Sequence, residues 1–128
     1  MKKLLIALLF PVLCKAQAHL GKTEVEIRGN FPDVSFTRGW TKDGQKYLMG
    51  KMPYGTFVYY FGSNGETTFN IQIPTTIQDA NALVEIYNGK YVITSKKSWT
   101  AYLDGGAIMK IEMIFDDELN TYIFHYGY

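Results

Sequence analysis

The chain has 128 residues, 47% hydrophobic and 16% aromatic, with a formal net charge of +1, a length that suits one compact domain. No basic stretch stands out, which argues against a nucleic-acid partner. The single cysteine, Cys14, excludes an internal disulfide and a cysteine-based zinc site.

The first residues read MKKLLIALLFPVLCKAQAHLG. Lys2 and Lys3 lead an apolar run from Leu4 to Cys14, and Ala16-Gln17-Ala18 has the A-x-A spelling of a cleavage site. Such a run is too short to span a bilayer, and the pattern predicts a secretory signal peptide of bacterial style over residues 1–18. The remaining 19–128 are expected outside the cytoplasm, in the periplasm or the exterior. They keep ten of the thirteen basic residues and all twelve acidic ones, a balance near −2. They contain no second hydrophobic segment, so no transmembrane span is expected there. A cut after Ala18 exposes His19, and a cut after Ala16 exposes Gln17. Cys14 raises the alternative of a lipid-anchored envelope assembly factor, although Leu13 stands where a small residue normally precedes a lipidated cysteine.

Thr23-Glu24-Val25-Glu26 spells a capping box, Thr followed three residues later by Glu. A short helix is predicted from there, ended by Gly29, Asn30 and Pro32. From Val34 to Ile73 the period becomes two. Phe57, Tyr59 and Phe61 point one way, and Val58 and Tyr60 the other. Phe69, Ile71 and Ile73 share a side, with Thr68, Asn70 and Gln72 opposite. This alternation predicts antiparallel strands with one face buried. Lys42 to Gln45 and Ser63-Asn64-Gly65-Glu66 are the turns, the second with an Asn-Gly pair that accepts positive φ.

After Pro74, Ile77, Ala80, Leu83, Val84 and Tyr87 recur at helical spacing. Asn88-Gly89 closes that helix with a left-handed cap, or else turns a hairpin between VEIY and KYVI; the long periodicity favours the helix. Strands are predicted over Tyr91 to Ser95, Trp99 to Leu103, Ala107 to Phe115 and Asn120 to Tyr126. The turns fall at Asp104-Gly105-Gly106 and Asp116-Asp117-Glu118. Met109, Ile111, Met113 and Phe115 share a side, as do Tyr122, Phe124 and Tyr126.

The segments Glu24 to Thr41 and Leu83 to Thr100 agree at five of eighteen positions: the VEI triplet and a Trp-Thr pair. The prediction is therefore an α+β domain of two repeats, about 21–73 and 74–128, each a short helix followed by about four antiparallel strands. Their sheets either join or face each other. Trp40 and Trp99 fall at matching places. The Gly21-Lys22-Thr23 start, the capped helix and the repeated helix-plus-sheet order resemble the tandem layout of the β-lactamase-inhibitor proteins and the BamE-type outer-membrane-assembly domain. The Asn88 to Val92 stretch with Trp99 is similar to small exported bacterial proteins. The resemblance implies architecture and an interaction role, and it carries over no binding residue.

Catalytic signatures are sparse. Nucleophilic catalysis needs a nucleophile beside a base, and no nucleophile-elbow pattern occurs. The acidic turn at Asp116 to Glu118 lacks the alternation and glycine of a calcium loop. One acidic turn also cannot place two carboxylates across a cleft. An N-terminal His19 together with His125 would make a copper-binding histidine brace, the alternative from a different class; the plain alternative is a loose terminus and a surface histidine. The aromatics favour another reading, because Trp and Tyr dominate interface energetics. Trp40, Tyr60, Trp99 and Tyr102 are the candidate anchors, provided they lie on the sheet face that helices leave open; otherwise the tryptophans are core. Lys96 and Lys97 read as a charged edge that discourages strand addition. The expected function is a non-enzymatic exported binding protein without a cofactor, its partner another envelope or secreted protein.

Overall fold

A computed structural model describes residues 20–53, 55–102 and 106–128. Residues 1–19, which include Cys14 and His19, together with Tyr54, Leu103 and the turn residues Asp104 and Gly105, lie outside the described residues. The fold is α+β. Helix α1 (Glu24–Asn30) is followed by β1 (Phe36–Trp40), β2 (Lys46–Met52), β3 (Gly55–Phe61) and β4 (Thr67–Pro74). Helix α2 (Ile77–Lys90) is followed by β5 (Val92–Ser95), β6 (Ser98–Tyr102), β7 (Ile108–Asp116) and β8 (Thr121–Gly127). The strands form one antiparallel sheet in the order β1-β2-β3-β4-β8-β7-β6-β5. The two sets of strands join edge to edge through β4 and β8 rather than facing each other.

The capping box forms as spelled: Thr23 Oγ1 accepts from Glu26 N–H at 3.3 Å, and Glu26 Oε1 accepts from Thr23 N–H at 3.2 Å. Helix α2 departs from expectation at its end. It runs through Asn88 and Gly89 to Lys90 and stops at an extended Tyr91. No left-handed cap forms at Gly89. The exposed Asn88 instead accepts a 2.8 Å hydrogen bond from Trp99 Nε1 through its side-chain oxygen.

Both helices lie on one side of the sheet. The core between them contains Ile27 and Phe31 of α1, Leu83 and Tyr87 of α2, and Leu48, Phe57, Tyr59, Trp99, Met109, Ile111, Phe124 and Tyr126 of the strands. Tyr87 meets Trp99, Phe124 and Tyr126 edge-on at 5.5–6.2 Å between ring centres, the geometry aromatic quadrupoles favour.

Strand β4 is turned over relative to its composition. Asn70 and Gln72 are fully buried in this core, whereas Phe69, Ile71 and Ile73 lie on the open side. The cause is a register shift. Phe61 pairs with Thr67, but Tyr60 pairs with Phe69, so Thr68 is an extra residue. A one-residue slip moves every later side chain to the other face. Thr68 Oγ1 donates to the Tyr60 carbonyl at 3.4 Å. A Cβ on Gly62 would come within 2.9 Å of the Thr68 methyl, so glycine there leaves the bulge its room. The segment ahead of α1 clamps the same point. Gly21 N–H donates to Thr67 O, and Thr67 N–H to Lys22 O, both at 2.9 Å. Gly21 reaches this position with a φ of 79°, a conformation that costs glycine little.

One buried charge stands at the α1 side of the core. Glu24 takes Arg38 Nη2 at 2.9 Å, Arg28 Nε at 2.8 Å and Lys46 Nζ at 2.7 Å. The Arg38 hydrogen bonds, with Lys46 and Arg28 behind them, lower its carboxyl from about 4.5 to about 2 against the opposing effect of burial. A folded-state value below the unfolded one means stability present above pH 4.5 and lost as pH falls toward 2. The cations are partly solvated, which reduces the gain to about 1–2 kcal/mol. Glu24→Gln is expected to lower unfolding free energy by about that amount at pH 6 and to match the parent chain at pH 2, as measured by denaturant titration.

Candidate functional site

The side of the sheet away from the helices has no covering element among the described residues. Across β2, β3, β4 and β8 it carries Tyr47, Met49, Val58, Tyr60, Phe69, Ile71, Ile73, Ile123 and His125. Four of these form a row of rings. Tyr47 and Tyr60 lie 6.1 Å apart, Tyr60 stacks on Phe69 at 4.4 Å, and Phe69 stacks on His125 at 5.1 Å.

A glycine stands at each end of this row. A Cβ on Gly39 would sit 2.4 Å from the Tyr47 ring, so that ring rests directly on the β1 backbone, the arrangement by which an aromatic shields a strand glycine. Gly127 lies opposite Phe69, and a Cβ there would come within 3.3 Å of the His125 ring. The missing side chain lets His125 lean across onto Phe69. Burial, then the neighbouring Tyr47, raises the ionisation of Tyr60 above its ordinary range. It stays a neutral donor near pH 7.

Phe69 is stacked between Tyr60 and His125, so its ring faces are covered. Such a surface packs against aliphatic and aromatic side chains. It does not offer the bare ring face on which a sugar would lie. The neighbouring strands complete the open side in another style. Thr94, Ser98 and Thr100 with Lys110 and Glu112 border a shallow depression of about 250 Å³. The open side is thus apolar over β2, β3, β4 and β8, while over β5–β7 it mixes these polar groups with the exposed Val92, Tyr102, Ile108 and Ile114.

The candidate anchors divide between the two sides. Tyr60 belongs to the ring row. Tyr102 is on the same side but stands apart on β6, 71% exposed. Trp99 is 1% exposed and belongs to the core under α2, so it has no surface to offer a partner. Trp40 is 61% exposed, but it shares the helix side with Phe36 and Arg38, opposite Lys46 at the sheet edge. The two tryptophans are also not matched in the fold: Trp40 ends the first strand after α1, while Trp99 lies in the second strand after α2. Tyr47 and Phe69 were not among the sequence candidates, and His125 was one only as a metal ligand, because the stacking of Phe69 between Tyr60 and His125 depends on the extra residue at Thr68. The Gly39 and Gly127 gaps were the one trace of it in the sequence.

Among the described residues no group of three or more His, Cys, Asp or Glu side chains gathers to hold a metal ion. His125 is packed on Phe69, and its proposed copper partner His19 lies outside the described residues. No described helix is long and apolar enough to cross a membrane. No protein family, curated protein or solved structure matches the chain.

The tryptophan assignment predicts a simple optical result. Trp40→Phe should leave a blue-shifted emission that acrylamide barely quenches, from Trp99. Trp99→Phe should leave a red-shifted, readily quenched emission from Trp40, with stability lowered by less than the about 3–5 kcal/mol that truncating a buried Trp to Ala costs.

Proposed function

We propose that the protein is a non-enzymatic interaction protein that works outside the cytoplasm and docks its partner on the open, apolar side of the sheet. The observation that carries this reading is β4. A central strand sends Asn70 and Gln72 inward and Phe69, Ile71 and Ile73 outward. Contiguous apolar surface on a small domain marks an interaction site, and here it is half-buried at Phe69, Ile71 and Ile73 and exposed at Met49. The secretory leader supports export, and the resemblance to tandem inhibitor and envelope-assembly domains agrees with a binding role.

The duplicated layout belongs to the same reading. Helix-then-four-strands occurs twice in the element order, and β1–β4 and β5–β8 run outward from a common β4–β8 seam. These facts support two fused copies of one unit, with the seam bringing the apolar outer side of β4 beside Ile123 and His125 of β8.

A photo-activated cross-linking residue tests the docking side. Placed at Ile73 on the open side, it should yield adducts in the producing cell. Placed at Val25, on the exposed surface of α1, it should yield none. Ile71→Arg should abolish the adducts from position 73 while leaving the thermal midpoint within a few degrees. Adducts from position 25 alone, or turnover that depends on particular polar side chains, would overturn the proposal.

A further inference from the structure

We infer that the occupant of the open side is a second copy of this chain, in a face-to-face pair of sheets related by a two-fold axis. This rests on the open side being the docking side and names its partner. The argument is the self-complementarity of two adjacent rows across the sheet. One row runs Val58, Ile71, His125, Glu112 along directly paired positions of β3, β4, β8 and β7. The next runs Tyr60, Phe69, Gly127, Lys110 along the same four strands.

An axis lying in the interface, perpendicular to the strands and midway between these rows, sets each row against the other in the partner. Ile71 then meets Phe69, an aliphatic side chain facing a ring, and Tyr60 comes to lie over the strand position of the buried Val58. The His125 ring faces the vacant site at Gly127. Glu112 faces Lys110, so both charges of one copy are answered by the other. Within one chain, Lys110 and Glu112 are exposed and enter no ion pair among the described residues. The same axis sets each strand against its own copy, so β3, β4 and β8 meet apolar residues and the mixed β5–β7 region meets itself. An axis along the strands would instead set Val58 and Tyr60 of β3 against the charged Lys110 and Glu112 of β7.

The size is adequate. Eight strands about 4.8 Å apart, each offering about five residues of about 3.3 Å, present roughly 600 Å². A pair covers roughly 1,200 Å² in total, the lower end for specific interfaces. The arrangement is isologous, the commonest symmetry of soluble assemblies. Sheet twist in aligned packings turns the two copies by about 30°, which keeps the match closest over the four central strands.

Sedimentation equilibrium on the purified chain tests this. The parent chain should show a concentration-dependent rise from one chain mass to two. Ile71→Arg should remain at one. Lys110→Glu and Glu112→Lys, each alone, should weaken self-association by about tenfold or more. An equimolar mixture of those two variants should recover it as a mixed pair. One variant then carries a carboxylate at both positions 110 and 112, the other an ammonium group at both, and each charge faces its opposite. A single-chain mass up to about 1 mM, or variants that pair no better mixed than alone, would overturn the inference. In the first case, adducts of another protein at position 73 would leave the docking side standing with a different occupant. The absence of any adduct there would remove both.

Discussion

One extra residue decides which side of β4 faces the core. Thr68 interrupts the ladder between β3 and β4, and from that point every side chain of β4 is on the opposite side from the one an unbroken ladder would give. The interruption is held from three directions. Gly62 leaves space for the Thr68 methyl, the Thr68 hydroxyl holds the Tyr60 carbonyl, and the Gly21-Lys22 backbone is bonded to Thr67. Gly21-Lys22-Thr23 therefore has two structural tasks within three residues: Thr23 starts α1, and its neighbours fasten the bulge.

The turned strand explains both sides of the sheet. On the helix side the core is rich in tyrosine, and buried hydroxyls need partners. The Tyr126 hydroxyl donates to Gln72 Oε1 at 2.7 Å and is itself bonded to the Tyr87 hydroxyl. Burial, together with Tyr87, holds Tyr126 far above the usual tyrosine ionisation range, so this network stays neutral. An aliphatic residue at position 72 would leave the pair without that acceptor. On the other side, the apolar residues displaced from the core join Tyr47, Met49 and Tyr60 in a partly exposed surface that rests on the buried Val58 and Ile123. The buried amides and the exposed apolar patch are two results of the same shift.

Most of the fold was legible because local signals agreed with tertiary structure. The capping box at Thr23, the Asn64-Gly65 turn, the alternation along β3 and β7 and the helical spacing after Pro74 each reappear in the structure. Asn88-Gly89 misled, because a side-chain bond to Trp99 and the packing of Tyr87 carry α2 past it. The matching Trp-Thr pairs misled for a different reason. The linear alignment sets β1 against the β5–β6 hairpin, so it joins residues from strands of different rank. The site was legible only as far as Tyr60 and Tyr102. Alternation reveals which residues of β4 share a side, but not which side is inward, because that depends on counting paired residues across the bulge.

Thiol accessibility tests that central point most directly. Two variants, Ile71→Cys and Gln72→Cys, each with Cys14→Ser, would be exposed to a maleimide in native buffer and in denaturant. With β4 turned over, the thiol at position 71 reacts while the chain is folded and dilute, and the thiol at position 72 reacts only on unfolding. Rapid native labelling at position 72 with protection at position 71 would return the apolar side of β4 to the core and remove the basis for the docking surface.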